Sequence, residues 1–132
     1  MDSNQIQEGN FVSTILLSTD IILIKDKDNN QLELTPAEAS TFIELIGWTK
    51  TLLASSMLPP YIESGLFRAN FNEEGEVRLT RLDRGGNLPY TASDIVSLIV
   101  LVKKTLEKAK DWKAFGRKKI FRASGGGGEP PA

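Results

Sequence analysis

The residues best suited to chemistry lie near the C-terminus, where cationic and aromatic side chains interleave between Lys110 and Arg122. Lysine and arginine contact the phosphates of nucleic acid, and aromatic rings stack on unpaired bases. The segment therefore predicts binding of single-stranded DNA or RNA. Its candidate contact residues are Trp112, Lys113, Phe115, Arg117, Lys118, Lys119, Phe121 and Arg122.

The same segment allows other interpretations. Lysines near the end of a helix are favoured by the helix dipole, and the three rings are equally suited to folding back onto the core. An acidic protein partner or an anionic membrane surface would also attract a basic segment. The residue types alone leave these alternatives open.

Charge is distributed very unevenly along the chain, although its net charge is only −1. Residues 1–102 contain seven basic and fourteen acidic side chains, a net charge of −7. Residues 103–122 contain nine basic and two acidic ones, a net charge of +7. This asymmetry indicates that one end of the protein faces a polyanion or an acidic partner.

A second cationic surface is predicted in the middle of the chain, where apolar and polar residues alternate on both arms of a hairpin. Alternation places Arg68 and Arg78 on its solvated face, with Arg81 and Arg84 nearby. Arginine suits such a surface because its planar guanidinium both bonds phosphate and stacks. These four arginines complete the predicted nucleic-acid interface.

Composition argues against an enzyme. The chain has no cysteine and no histidine, so neither a thiolate nor a histidine base is available. The carboxylates of residues 20–28 lack the spacing of a calcium loop, and Arg84-Gly85-Gly86 is interpreted as a plain loop. We therefore predict no catalytic residues, no metal site and no cofactor.

Neither a targeting segment nor a membrane span is predicted. The N-terminus is polar and acidic, and the longest apolar stretch, Ile95–Val102, is interrupted by Ser97. That stretch is apolar nearly all round a helix, which favours a homodimer seam. We expect a cytoplasmic, homodimeric protein. The alternative function is a structural or adaptor subunit that docks on a protein complex through this helix and the basic segment.

The secondary structure that positions these residues is predicted from periodicity and turn chemistry. Three short strands lie between Phe11 and Leu34, and a hairpin follows at residues 66–83. Capping boxes at Thr35–Glu38 and Thr91–Asp94 begin two helices. The fold class is α+β, with an antiparallel sheet of about five strands and both helices on one face.

Four segments are expected: a flexible lead-in at residues 1–10, one α+β domain at 11–115, a basic segment at 116–123, and a disordered Gly/Pro tail at 124–132. The two capped helices also match at an offset of 56 residues. Two strand-strand-helix units would explain the match, but any two capped amphipathic helices align in this way.

The order of elements over residues 11–112 resembles the Whirly-like single-stranded-DNA-binding fold, including small cyanobacterial proteins of unknown function. The strand-to-helix junctions Leu34-Thr35-Pro36-Ala37-Glu38 and Tyr90-Thr91-Ala92-Ser93-Asp94 support the resemblance. It implies repeated antiparallel strands that end in a helix, and dimers that expose a curved sheet.

Overall fold

A computed structural model of the protein describes residues 5–16 and 20–110. These residues form eight strands and two helices, which confirms the predicted α+β class. The strands are β1 (Gln5–Glu8), β2 (Phe11–Leu16), β3 (Ile21–Lys25), β4 (Gln31–Leu34), β5 (Tyr61–Ser64), β6 (Phe67–Phe71), β7 (Glu76–Arg81) and β8 (Asn87–Thr91). The helices are α1 (Ala39–Leu53) and α2 (residues 95–110).

The strands form two sheets rather than one sheet of about five strands. The first sheet has the order β1-β2-β3-β4 and the second β5-β6-β7-β8, and every neighbouring pair is antiparallel. The three strands that the sequence did not indicate are short and lack a strong apolar pattern. β1 lies in the predicted lead-in, β5 follows Pro59-Pro60, and β8 contains Pro89.

The offset of 56 residues applies to the strands as well as to the helices. β1 begins at Gln5 and β5 at Tyr61, and β4 begins at Gln31 and β8 at Asn87. Only the third strands depart from it, because β7 starts one residue early. Each half of the chain therefore consists of four strands and a helix, where two strands per unit were predicted.

Both predicted capping boxes are present. The backbone N–H of Thr35 donates to Glu38 Oε1 at 2.9 Å, and that of Thr91 donates to Asp94 Oδ2 at 3.0 Å. In each half a 3-10 turn, Pro36–Glu38 or Ala92–Asp94, precedes the α-helix. The boxes fix where each helix leaves its sheet.

Each helix bonds to the sheet of the opposite half. In α1, the Phe42 ring meets the β6 ring of Phe67 edge-on at 5.5 Å. In α2, the Thr105 hydroxyl lies 2.6 Å from the hydroxyl of Ser13 in β2. Lys104 pairs with Glu8 of β1. The two halves therefore share one interior, which is lined by the inner faces of both sheets.

Two glycines allow the close approach of helix to hairpin. Gly9 and Gly65 turn their hairpins with φ of 58° and 60°, a region that favours glycine. A Cβ atom on Gly9 would lie 2.7 Å from Ser97 Oγ, and one on Gly65 would lie 3.2 Å from Thr41 Cγ2. All four residues obey the offset of 56, so the same contact occurs in both halves.

Candidate nucleic-acid interface

The solvent side of the second sheet, called here the outer face, presents polar and cationic side chains. Side chains alternate across a strand, so one set from each strand packs inward and the other faces water. Strand register then places the outward residues in two rows. The rows are Glu63, Arg68, Thr80 and Asn87, and Tyr61, Asn70, Arg78 and Pro89.

Arg68 is held in a defined position on this face. Its Nε donates to Glu63 Oε2 at 2.7 Å, and its guanidinium carbon lies 4.4 Å from the centre of the Tyr61 ring. Tyr61 itself is 46% exposed. Stacking on a ring fixes the plane of the guanidinium while leaving part of both groups open to a ligand.

Arg78 lies one strand away on the same face and is also half exposed. Its Nη1 donates to Asn87 Oδ1 at 2.7 Å, and its Nη2 lies 3.8 Å from a carboxylate oxygen of Glu76. Asn70 is its neighbour across the strand pair. The outer face thus combines two cations, one ring and two amides, which are groups that contact phosphates and bases.

Arg81 does not belong to this surface. It follows Val77 and Leu79 on the inward side of β7, and its side chain is only 1% exposed. Its guanidinium donates to both carboxylate oxygens of Glu38, at 2.7 and 2.9 Å, and to Asp83 at 2.7 Å. Arg81 therefore joins the two halves, and we withdraw it as a nucleic-acid contact.

The guanidinium of Arg81 also changes the acidity of its partners. Its hydrogen bond holds the pKa of Glu38 below the usual value, against the opposing effect of partial burial. The same guanidinium lowers the pKa of Asp83. Both carboxylates are consequently ionised near neutral pH, as an ion-paired network requires.

Arg84 lies in the loop after β7, away from the two rows. Its Nη1 is 3.1 Å from Glu33 Oε1 of the first sheet, and its Nε is 3.7 Å from Asp83 Oδ2. It is nearly half exposed, but these contacts direct it across the boundary between the halves. The structure therefore brings together Arg68 and Arg78 of the four predicted arginines.

The remaining predicted contacts lie outside the described residues. They are Trp112, Lys113, Phe115, Arg117, Lys118, Lys119, Phe121 and Arg122. The boundaries predicted at residues 115 and 123 lie there too.

Sequence reasoning missed Tyr61, Asn70 and Asn87. Tyr61-Ile62-Glu63-Ser64 does alternate, with Ile62 and Ser64 directed inward. Two prolines immediately before it obscured the strand. Recognising that the offset of 56 includes β1 and β5 would have found it.

The second helix is less exposed than its composition suggested. Ile95, Leu98, Leu101 and Val102 are buried within the protein, and Val96 is the large apolar residue of α2 that is well exposed, at 61%. The helix is covered because both sheets surround the shared interior. The predicted dimer seam on α2 therefore loses its main premise, and dimerisation itself stays a prediction.

The clefts between the halves contain carboxylates with structural partners. One cleft is lined by Asp26, Glu76 and Asp94. Asp26 accepts the amides of Asp28 and Asn30 in its own turn, Asp94 closes the second capping box, and Glu76 accepts from Asn72. In the part of the chain that the structure describes, no cluster of three or more acidic side chains is arranged to hold a metal ion.

Neither helix of the described residues is long and apolar enough to cross a membrane. A scan against protein-family models and a search of curated proteins both find no match to this chain. The residues of the outer face are therefore the basis on which a function is assigned.

Proposed function

We propose that the protein binds single-stranded nucleic acid through the outer face of the second sheet together with the basic segment at residues 110–122. The observation that supports this most directly is the stacking of Arg68 on the exposed ring of Tyr61, one strand away from Arg78. Nothing in this arrangement requires a catalytic step, so we propose a binding protein and not an enzyme.

A single strand fits this surface better than a duplex does. Unpaired bases expose their ring faces, which Tyr61 and the guanidinium of Arg68 can meet by stacking. The side-chain amides of Asn70 and Asn87 then supply donors and acceptors for base edges. A sheet surface also provides room for a strand to lie across it, as in other sheet-based single-strand binders.

The arginines must exchange partners when nucleic acid binds. Arg68 and Arg78 are paired with Glu63 and Glu76 at the surface, where such pairs contribute only about 0–1 kcal/mol. A phosphate can therefore replace these carboxylates at small cost. The residual negative charge nearby predicts modest affinity unless the basic segment, with its net charge of +7 over residues 103–122, contributes as well.

The resemblance to the Whirly-like fold adds support. It implies repeated antiparallel strands that end in a helix, and each half of this chain has four strands followed by a helix. It also implies a homodimer, which we propose for this protein without assigning the contact surface.

Fluorescence anisotropy of a labelled oligonucleotide, titrated with salt, tests the proposal. Removing both cations with Arg68→Gln/Arg78→Gln should reduce the log–log salt slope by about 0.7 per lost phosphate contact. Lys25→Gln is the matched control, since Lys25 is an exposed cation on the first sheet. Tyr61→Ala should cost roughly 1–3 kcal/mol of affinity and leave the slope unchanged.

The basic segment is tested separately by neutralising Arg117, Lys118, Lys119 and Arg122 together. If the slope stays that of the parent in both multiple variants, nucleic acid is not the ligand. Binding to another protein that hardly responds to salt would instead favour the adaptor function.

A further inference from the structure

An apolar groove lies between α1 and β5, on the opposite side of β5 from the rest of its sheet. Its volume is about 370 Å³, and its lining is almost entirely apolar. Trp48 is 61% exposed beside it, an unusual amount of open surface for a tryptophan. The lining residues are Trp48, Thr51, Leu52, Pro59 and Ile62.

The strand bordering this groove has a free edge. β5 is the terminal strand of its sheet and pairs only with β6 among the described residues. Ser64 and Phe67 face each other across the two-residue turn, and the Phe71 N–H donates to the Pro60 carbonyl. Because hydrogen-bonded pairs alternate, the backbone groups of Tyr61 and Glu63 point away from β6. A free edge of this kind accepts an added strand.

The groove also has a charge gradient along β5. Beyond Trp48 it continues into a smaller concavity of about 110 Å³, whose lining includes Glu44 and Glu63. An extended peptide that fits must therefore have an aromatic or aliphatic side chain for the apolar part and a cation close to it for the acidic part.

The equivalent position in the other half has no such groove. The offset of 56 places Lys104 where Trp48 stands, and Lys104 is paired with Glu8 of β1. The free edge of β1 thus has an ion pair beside it instead of an exposed ring. The groove is a property of the first helix and β5, not of the repeated fold.

We propose that this groove binds residues 112–121 of this chain. The segment has rings at Trp112, Phe115 and Phe121, with cations at Lys113, Arg117 and Lys119 within two residues of a ring. Its positive charge complements Glu44 and Glu63, and its ten residues are enough to follow the four of β5. The aromatic residues of the segment would then be anchored on the protein, with free cations remaining to face a ligand.

Amide hydrogen exchange of the full-length protein, resolved by NMR, tests this docking without any nucleic acid. If the segment adds to β5, the amides of Tyr61 and Glu63 exchange slowly. In Trp112→Ala/Phe115→Ala/Phe121→Ala they should exchange faster by on the order of tenfold, because the free edge is exposed again. Adding a synthetic peptide of residues 111–122 to this variant should restore the protection.

Two controls locate the effect. Gln5 and Gln7 occupy the positions of Tyr61 and Glu63 on the free edge of β1, so their exchange should not change. Trp48→Ala should accelerate Tyr61 and Glu63 as the triple variant does, whereas Val96→Ala, which truncates an equally exposed residue of α2, should not. Equal exchange rates at Tyr61 and Glu63 in the parent and in the triple variant would overturn the proposal, whatever the outcome for nucleic-acid binding.

Discussion

The two halves of the chain have the same interior plan but present different surfaces. Each has four strands, a capping box and a helix, placed 56 residues apart with one local shift. The outward residues of the first sheet, in contrast, are mostly aliphatic, whereas those of the second are polar and cationic. They include Val12, Ile21, Leu23 and Lys25 on the first sheet, and Tyr61, Arg68, Asn70 and Arg78 on the second.

The helix caps differ as well. Glu38 of the first half is bonded by the buried Arg81 of the second half, whereas Asp94 accepts from the exposed side chain of Asn10 at 3.2 Å. The difference teaches that repetition maintains the packing, while the positions free of packing constraints become distinct. Function is accordingly sought where the halves disagree.

The largest effect is expected from Arg81→Ala, which leaves Glu38 and Asp83 without their buried cation. Breaking such a pair costs about 3–5 kcal/mol of unfolding free energy. Asn10→Ala removes the corresponding partner of Asp94 and should cost less than about 1 kcal/mol, since the bond is exposed. Urea denaturation measures both. Equal losses would show that the two caps are energetically equivalent after all.

Glu38→Gln should cost roughly 1.5–3 kcal/mol at neutral pH, the range for hydrogen bonds to a charged group. The Arg81 guanidinium holds the pKa of Glu38 below its usual 4.5. A carboxylate with a lowered pKa stabilises the fold above its unfolded pKa, and this stability is lost as the pH falls through its folded value. The advantage of the parent over the variant should therefore be constant above about pH 4.5. It should shrink in more acidic solution, and an advantage that persists undiminished at pH 2 would contradict the mechanism.

The buried threonines offer a comparison in which the halves should agree. Thr49 lies 2.6 Å from the Tyr90 hydroxyl, and Thr105 lies 2.6 Å from that of Ser13. Burial raises the pKa of Tyr90, so its hydroxyl stays protonated and needs a partner. Thr49→Val and Thr105→Val should each cost roughly 1–2 kcal/mol in thermal or urea unfolding.

Adding Tyr90→Phe to Thr49→Val should recover part of that loss, because no buried hydroxyl then lacks a partner. A strictly additive double variant would mean that the bond between them is energetically unimportant.

The smallest effect is expected at the outer ends of the capping boxes. Thr35→Ala and Thr91→Ala should each cost about 1 kcal/mol, the usual penalty for a lost N-cap. Combining Thr35→Ala with Glu38→Ala should give less than the sum, since the box is reciprocal. The midpoint of urea denaturation measures these losses, and an unchanged midpoint in both single variants would place the helix starts elsewhere.

The sequence predicted the features that depend on local chemistry. Capping boxes, the central hairpin and the helix starts follow from residue types a few positions apart, and the structure confirms them. The sheet count was wrong because β1 and β5 are short and gain their stability from pairing and from the opposite helix. Such tertiary contacts leave little trace in local periodicity.

Alternation places Arg68 and Arg78 on the solvent face, and it also directs Arg81 inward when β7 is traced from Val77. The partner of Arg81 could not be predicted, because Glu38 lies 43 residues away in the other half. Tyr61 was missed for a similar reason, since its role depends on a strand hidden behind two prolines.

The exchange of helices between the halves has a consequence for biosynthesis. When α1 leaves the ribosome, the first sheet has been made, but the Phe67 and Tyr90 side chains that α1 packs against have not. The nascent chain must therefore keep an apolar helix unburied while roughly forty more residues are translated, which takes about 2–8 s at typical elongation rates. Slow codons or a chaperone would act most effectively in that interval.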